Sequence, residues 1–369
     1  MAPLRVGIAC YPSVGGSGVV ATELAAALAE RGHRVRMFTF APPHRPAPGV
    51  CVHLVDVFAY PLLRYPPYDL ALASTIVDTI QHTGPLDVLH VHYAVPHAIS
   101  AYLAKAMLGD GAFATVTTLH GTDITIVGSD PAYATVTRFG IDQSDGVTAV
   151  SNSLRRETLE MFDLRRPIEV IPNFVDGAVF RPRPRVAGAP PRLAHASNFR
   201  SVKRPLDVVR ILAAVRRKIP ARLSLIGDGP ERAAVIELAG ELGVSDAIDY
   251  RGPIQVPNDA FAEADVFLLP SESESFGLSA LESLACEVPV VASRVGGLPE
   301  VVDDGETGFL LPMGDVDGMA AAALKLLEDP ARARRFGATA RARALERFSQ
   351  AKVVERYVAF YEATLAARP

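Results

Sequence analysis

Two doubly wound α/β domains, each built on a parallel sheet, are the fold class that this chain predicts. Three observations carry the prediction. Short apolar runs alternate with helical patterns from residue 4 onward, the mark of parallel strands covered on both faces. The same alternation begins again after a stretch rich in Pro and Arg. The length, 369 residues, exceeds what one ordinary domain fills.

In the first half, "LRVGIACY" (4–11) reads as a buried strand and "GVVATELAAALAERGH" (18–33) as a helix ending at Gly32. "RVRMFTF" (34–40), "VLHVHY" (88–93), "FATVTTLH" (113–120) and "GVTAVS" (146–151) follow as strands, with the helix pattern "HAISAYLAKAML" at 97–108. "IEVIPNFVD" (168–176) leads into "FRPRPRVAGAPP" (180–191), which reads as a linker. Beyond it, "RLAHAS" (192–197), "ARLSLIG" (221–227), "IDYRG" (248–252), "DVFLLP" (265–270) and "PVVAS" (289–293) read as strands. The patterns at 204–219 and 231–243 read as helices between them, and 351–366 as a last helix. The expected domains are 1–176, a linker at 177–191, 192–348, and a helix at 349–369 that returns to the first domain.

Composition narrows the function classes. Lys plus Arg is 37 against 41 Asp plus Glu, a net charge of −4, which argues against a nucleic-acid partner. Three scattered cysteines, Cys10, Cys51 and Cys286, give neither a disulfide framework nor a zinc site and fit a reducing cytoplasm. No apolar stretch is long enough to span a bilayer, and the N-terminus lacks a signal-peptide pattern. The expectation is a cytoplasmic protein without membrane contact.

Candidate sites gather at strand ends, where open parallel sheets bind ligands. "SVGGSGVV" (13–20) joins the first strand to the first helix with Gly15, Gly16 and Gly18. It departs from the dinucleotide spacing, and no acidic residue ends the second strand. "HVHYAVPH" (90–97) and "LHGTDIT" (119–125) bring His90, His92, His97 and His120 near one another. Polar substrate contacts are preferred over a metal cluster, because His90 and His92 share one strand and Asp123 is the nearby carboxylate. In "ASNFRSVKRPLDVV" (196–209), Arg200, Lys203 and Arg204 meet a helix N-terminus. Cations oppose that helix's dipole, so an anion such as phosphate is the natural guest. "LIGDGPE" (225–231) and "YRGPI" (250–254) supply two further strand-end turns. "SESESFGLSALES" (271–283) sets Glu274 and Glu282 either side of seven uncharged residues.

The ordered set "GGSG", "HGTD", "VIPNFVD", "K-R-P-L-D", "LIGDGPE", "PSESESFGLSALES", "VPVVASRVGGLPEVV" and "TGFL" resembles the retaining GT-B glycosyltransferases of family 4 over nearly the whole chain. Within that family, "ACYPSVGGSGVVATELAAALAERGH", "HVHYAVPHA", "LHGTDIT" and "SNFRSVKR" are similar to the subgroup that glycosylates L-malate in bacillithiol biosynthesis. The resemblance implies two facing Rossmann-like domains, UDP-N-acetylglucosamine as donor and L-malate as acceptor. It implies that Glu282 holds the nucleotide ribose, that Glu274 bonds the donor sugar, and that Ser275, Phe276, Gly277 and Leu278 offer backbone amides to sugar and diphosphate. Lys203 and an arginine, Arg200 or Arg204, would stabilise charge on the diphosphate. Gly15, Gly16, Asn198 and Arg251 complete the expected donor set. His120 would lie near the sugar 6-hydroxyl. Many relatives carry Gly-Arg where Ser197 and Asn198 stand, which leaves the arginine's identity open.

Charge counting places the acceptor. L-malate carries two carboxylates, and between Gly49 and Arg155 the cationic residues are Arg64, Lys105 and Arg138. Arg138 is the preferred partner for its bidentate geometry, with Ser17, Tyr93, His120, Thr122 and Asn152 beside it. An ion pair between Arg138 and Asp142 is the structural alternative. The expected catalytic residues are Glu274, His120 and Lys203, with no metal or other cofactor required, in a homodimer. Other readings stay open on sequence alone: another acceptor such as an inositol phosphate or lipid, a UDP-N-acetylglucosamine 2-epimerase, or a non-catalytic nucleotide-sugar sensor.

Overall fold

The computed structural model describes residues 2–12, 16–58, 67–184 and 188–368. They form two units, one of residues 1–172 with 351–369 and one of residues 173–350. Residues 177–191, read above as a linker, fall inside the second unit, and the final helix falls inside the first.

The first unit begins with β1 (Arg5–Ala9), α1 (Gly16–Glu30), β2 (Arg34–Thr39), β3 (Cys51–Leu54) and α2 (Tyr68–Thr83). It continues through β4 (Val88–His92), α3 (Ile99–Leu108), β5 (Ala114–Leu119), α4 (Pro131–Asp142), β6 (Gly146–Ala149), α5 (Asn152–Met161) and β7 (Ile168–Val170). The strand order is β3-β2-β1-β4-β5-β6-β7, parallel throughout. The order reverses direction between β1 and β4. Their register sets Ile8 beside His90 and Ala9 beside Val91. Every residue of β4 and β5 is buried, which is why both read as continuous runs rather than alternating ones. Asp130 caps α4 by accepting from Ala132 N at 2.8 Å, and Ser151 caps α5 by accepting from Leu154 N at 3.0 Å.

The second unit runs β8 (Arg192–Ala196), α6 (Pro205–Arg216), β9 (Arg222–Ile226), α7 (Arg232–Glu241), β10 (Ile248–Gly252), α8 (Asn258–Ala262) and β11 (Val266–Leu269). Then come α9 (Leu278–Ala285), β12 (Val290–Ser293), α10 (Leu298–Val301), β13 (Gly308–Leu311), α11 (Val316–Leu327) and α12 (Pro330–Phe348). Its order is β10-β9-β8-β11-β12-β13, again parallel, and it reverses between β8 and β11. Its core joins Leu193, Leu223, Leu225, Val266 and Leu268 of the sheet to Val208, Ile211 and Leu212 of α6.

The last helix, α13 (Gln350–Ala366), packs in the first unit. Tyr357 and Tyr361 are fully buried there. Tyr361 Oη lies 2.7 Å from His90 Nδ1, so a C-terminal side chain completes the polar interior of β4.

Candidate active site

In an open parallel sheet the crevice opens where strand order reverses, beyond the strand C-termini. In the second unit that point lies between β8 and β11. The loop after β8 carries Lys203, and the loop after β11 carries Glu274. Lys203 Nζ donates to Glu274 Oε1 at 2.7 Å, and Ser271 Oγ donates to the same oxygen at 3.1 Å. Glu272 N donates to Val202 O at 2.8 Å and fastens one loop to the other. Both side chains of the pair keep partial access to solvent, so a ligand can reach them.

Glycines allow these loops to approach. Gly296 has φ of +50°, and a Cβ there would stand 2.0 Å from Glu274 O. Gly297 N instead donates to that carbonyl at 2.8 Å. "RVGGLPE" thus supports the backbone that aims Glu274. Likewise a Cβ at Gly227 would lie 1.9 Å from Ser197 O, which explains why "LIGDG" accompanies "SNFR".

The loop after β11 then enters α9. Phe276 packs its ring edge-on against Phe348 with centroids 5.5 Å apart. Its side chain is core, and its backbone with that of Ser275, Gly277 and Leu278 forms the helix entrance. Glu282, one turn further, is buried. The spacing in "SESESFGLSALES" thus sets a buried carboxylate, Glu282, eight positions after Glu274.

The three cations of the first loop separate clearly. Arg204 has a left-handed backbone, φ +49°, and its Nε donates to Asp207 Oδ2 at 2.6 Å. Asp207 is buried and also accepts from Arg210 at 2.7 Å. Arg204 is therefore committed to its own helix. Arg200 is exposed, with no ion pair among the described residues. Asn198 is exposed beside it. Arg251 is held by Asp249 at 2.6 Å and Glu263 at 2.8 Å, a double engagement that competes with the donor role expected for it.

His195 was not singled out from the sequence. It is buried on β8, with Nδ1 donating to Leu268 O at 2.9 Å. That leaves Nε2 to accept from Ser197 Oγ at 2.8 Å, and Ser197 Oγ in turn accepts from Phe199 N at 3.2 Å. Burial pushes the imidazole down to about 4. A neutral histidine thus shapes the loop that presents Arg200 and Lys203. "RLAHAS" carried the signal, a polar residue inside an apolar strand.

The first unit has an analogous arrangement at its own strand reversal. Ser17 Oγ donates to Tyr93 Oη at 2.6 Å, joining the start of α1 to the residue after β4. Tyr93 has φ of +83°, a conformation costing of order 1–3 kcal/mol for a non-glycine residue and retained mostly at functional sites. Gly16 opens α1 and is exposed; Gly15 and Arg64 lie outside the described residues.

His120 follows β5. Its Nε2 lies 2.8 Å from His92 Nδ1, and its ring tilts against Tyr93 with centroids 5.3 Å apart. Asp123, which the sequence reading weighed only as a metal ligand, has a structural task. Its Oδ1 accepts from His120 N at 3.1 Å and Gly121 N at 2.9 Å, and its Oδ2 from Ala94 N at 3.0 Å. The aspartate of "HGTD" therefore binds the two strand-end loops together. Burial raises its pKa, and the backbone donors oppose that rise. Burial with the neighbouring His97 pushes His120 down to about 3, and burial alone takes His97 down to about 4.

Thr122, Arg138 and Asn152 are exposed. α4, which bears Arg138, packs against the turns at 94–98 and 122–128 that follow β4 and β5. The expected alternative partner of Arg138 is engaged elsewhere: Asp142 accepts from Arg165 N at 2.9 Å and lies 3.8 Å from Arg165 Nε.

Comparison with known proteins gives the family and the fold. Residues 14–178 match the family model described as Glycosyltransferase Family 4, and residues 179–343 that of Glycosyl transferases group 1. The chain is 46% identical to N-acetyl-alpha-D-glucosaminyl L-malate synthase of Bacillus anthracis, over 97% of this chain and 96% of the relative. It is 32% identical to D-inositol 3-phosphate glycosyltransferase of Pseudarthrobacter chlorophenolicus, over 86% of this chain and 83% of that protein. Among solved structures it is similar to sucrose-phosphate synthase from Thermosynechococcus elongatus, with TM-score 0.79, 23% identity, and coverage of 98% of this chain and 99% of that one. It is likewise similar to Anabaena HepE in complex with UDP and glucose, with TM-score 0.79, 19% identity, and coverage of 99% and 100%.

Proposed function

The chain belongs to the glycosyltransferases that join a family 4 N-terminal half to a group 1 C-terminal half, and on that premise we propose that it transfers N-acetylglucosamine from UDP-N-acetylglucosamine to the hydroxyl of L-malate, keeping the α configuration. This reaction opens bacillithiol biosynthesis. The observation that carries the reading is the Lys203–Glu274 pair at the strand reversal of the second unit, with Glu282 eight residues along.

In this reading Glu282 accepts the ribose hydroxyls, and Glu274 accepts from hydroxyls of the sugar. Lys203, held within reach by Glu274, turns to the diphosphate. Arg200 is the arginine that joins it, since Arg204 is tied to Asp207. Charge grows on the diphosphate as the glycosidic bond breaks, and prearranged cations and helix-entrance amides stabilise it most in the transition state. The departing phosphate oxygen takes the malate hydroxyl proton while that hydroxyl attacks the anomeric carbon from the same face. These donors occupy the role that a divalent ion would fill, so the proposal includes no metal, and activity is expected to persist in excess chelator.

His120, kept neutral by burial, is the residue we assign to the sugar 6-hydroxyl. Arg138 grips a malate carboxylate, with Ser17, Tyr93, Thr122 and Asn152 completing the acceptor set. L-malate is preferred over an inositol phosphate because the malate synthase is the more similar relative, 46% against 32%.

The test is incubation with UDP-N-acetylglucosamine and a panel of L-malate, inositol 3-phosphate and water alone. Product mass identifies the acceptor, and the anomeric proton coupling gives the configuration. An α-linked malate glycoside is expected. Transfer to inositol phosphate in preference to malate would replace the acceptor, and epimerised donor without transfer would replace the reaction.

A further inference from the structure

The first unit contains a histidine that the proposed chemistry does not use. His92 is fully buried on β4. Its Nδ1 lies 2.8 Å from His120 Nε2, and its Nε2 has no hydrogen-bond partner among the described residues. Its ring is fixed from several sides. It stacks on His90 with centroids 4.5 Å apart. His90 is pinned by Tyr361 Oη at 2.7 Å and Thr118 Oγ1 at 2.6 Å. The His92 carbonyl accepts from His97 Nδ1 at 2.5 Å.

We propose that His92 is a positioning residue that sets both the orientation and the tautomer of His120, so that His120 presents Nδ1–H toward the substrate. The proposal rests on the reading above only in that His120 is assigned to the transferred sugar. Two neutral imidazoles in contact share one N–H, and one of them must donate. Asp123 accepts three backbone N–H groups. The orphaned Nε2 decides the direction. A buried N–H without an acceptor is rarer and costlier than a buried lone pair without a donor. His92 therefore keeps its proton on Nδ1 and donates to His120 Nε2. With Nε2 accepting, the one proton of neutral His120 sits on Nδ1. The result is a fixed donor, suited to a sugar hydroxyl oxygen and unsuited to accepting a proton.

The tautomer can be read without substrate, by ¹⁵N NMR of the histidine rings in the full chain. Wild type is expected to show His120 as the Nδ1–H form. His92→Asn places an amide N–H where Nδ1–H stood, and is expected to keep that form and most of the turnover. His92→Phe removes the donor. It is expected to admit the Nε2–H form and to lower kcat roughly tenfold, the worth of one well-placed hydrogen bond, with UDP affinity unchanged. An Nε2–H tautomer in wild type would overturn the proposal. So would unchanged His120 tautomer populations in His92→Phe, or equal damage in His92→Asn and a folded His92→Phe. If malate proves not to be the acceptor, the tautomer assignment is still decided by the spectra.

Discussion

Lys203 Nζ stands 2.7 Å from Glu274 Oε1, and the two side chains come from the loops that follow β8 and β11, the strands on either side of the sheet's reversal. In the proposed reading the pair ties the cation meant for the diphosphate to the carboxylate meant for the sugar. Lys203→Ala is expected to lower kcat by about 10²-fold or more, the scale for removing one preorganised charge donor. UDP affinity should fall much less, because leaving-group charge is largest in the transition state. Steady-state kinetics beside calorimetry with UDP checks this. A pure KM effect at normal kcat would assign Lys203 to uniform binding.

Glu282 is the second glutamate of the same stretch and is buried in α9. A carboxylate accepting two hydroxyls makes charge-assisted hydrogen bonds. Glu282→Gln keeps the shape and removes the charge, and is expected to weaken UDP binding about tenfold or more. Titration calorimetry with UDP measures it, and unchanged affinity would remove Glu282 from the ribose.

Arg200 and Arg204 are four residues apart and are expected to fail in different ways. Arg204 neutralises the buried Asp207 together with Arg210. Arg204→Ala leaves that carboxylate with one partner, so the melting temperature should fall. Arg200→Ala removes an exposed cation and should leave the melting temperature unchanged while lowering turnover. Thermal melts and kinetics on both variants separate the roles. The opposite pattern would move the diphosphate contact to Arg204.

Much of this architecture was legible because buried parallel strands are written as apolar runs, as in "VLHVH" and "DVFLL". β3 escaped notice because its four residues lie at the sheet edge, with Cys51, Val52 and Leu54 exposed. α12 escaped because it is rich in arginine and buries mainly Phe336, Gly337, Ala340, Ala344 and Phe348. α2 carries a helical stripe at Leu72, Ala73, Ile76 and Val77, a pattern legible in the sequence. The loops of the candidate site are legible as strand ends with glycines. The commitment of Arg204 to Asp207 follows from their spacing of three across the start of α6, with Arg204 at its cap. The contact between His90 and Tyr361 was not, since 271 positions separate them and only the fold brings them together.

The buried histidines predict an acid-sensitive fold. Burial pushes His90 and His120 down to about 3, His97 and His195 to about 4, and His92 well below its usual range. Each is neutral in the folded chain while its unfolded counterpart gains a proton near pH 6.5. The unfolded state thus binds more protons below that pH, and stability falls as pH drops from about 6.5 toward 3–4. Each such histidine contributes a slope approaching about 1.4 kcal/mol per pH unit in that window. Melting temperatures from pH 7.5 to 5 should decline, and His90→Gln should flatten the decline relative to wild type. A flat profile for the wild type would show that these imidazoles charge without unfolding.

Arg138 is the remaining cation of the acceptor argument. Its helix packs against the turns after β4 and β5, where Tyr93 and His120 stand. Asp142, the partner that would have made Arg138 a surface ion pair, accepts instead from Arg165. Arg138 is exposed, so its replacement should not unfold the chain. A malate carboxylate is a bidentate match for a guanidinium, and losing that contact should raise the malate KM roughly tenfold. Arg138→Lys keeps the charge and loses the planar fork, and should fall between wild type and Arg138→Ala. UDP affinity should remain unchanged in both, since no donor contact is assigned to Arg138. Initial-rate kinetics over a range of malate concentrations, at saturating donor, measures the effect. Unchanged malate kinetics in a folded Arg138→Ala chain would move the carboxylate contact to Arg64.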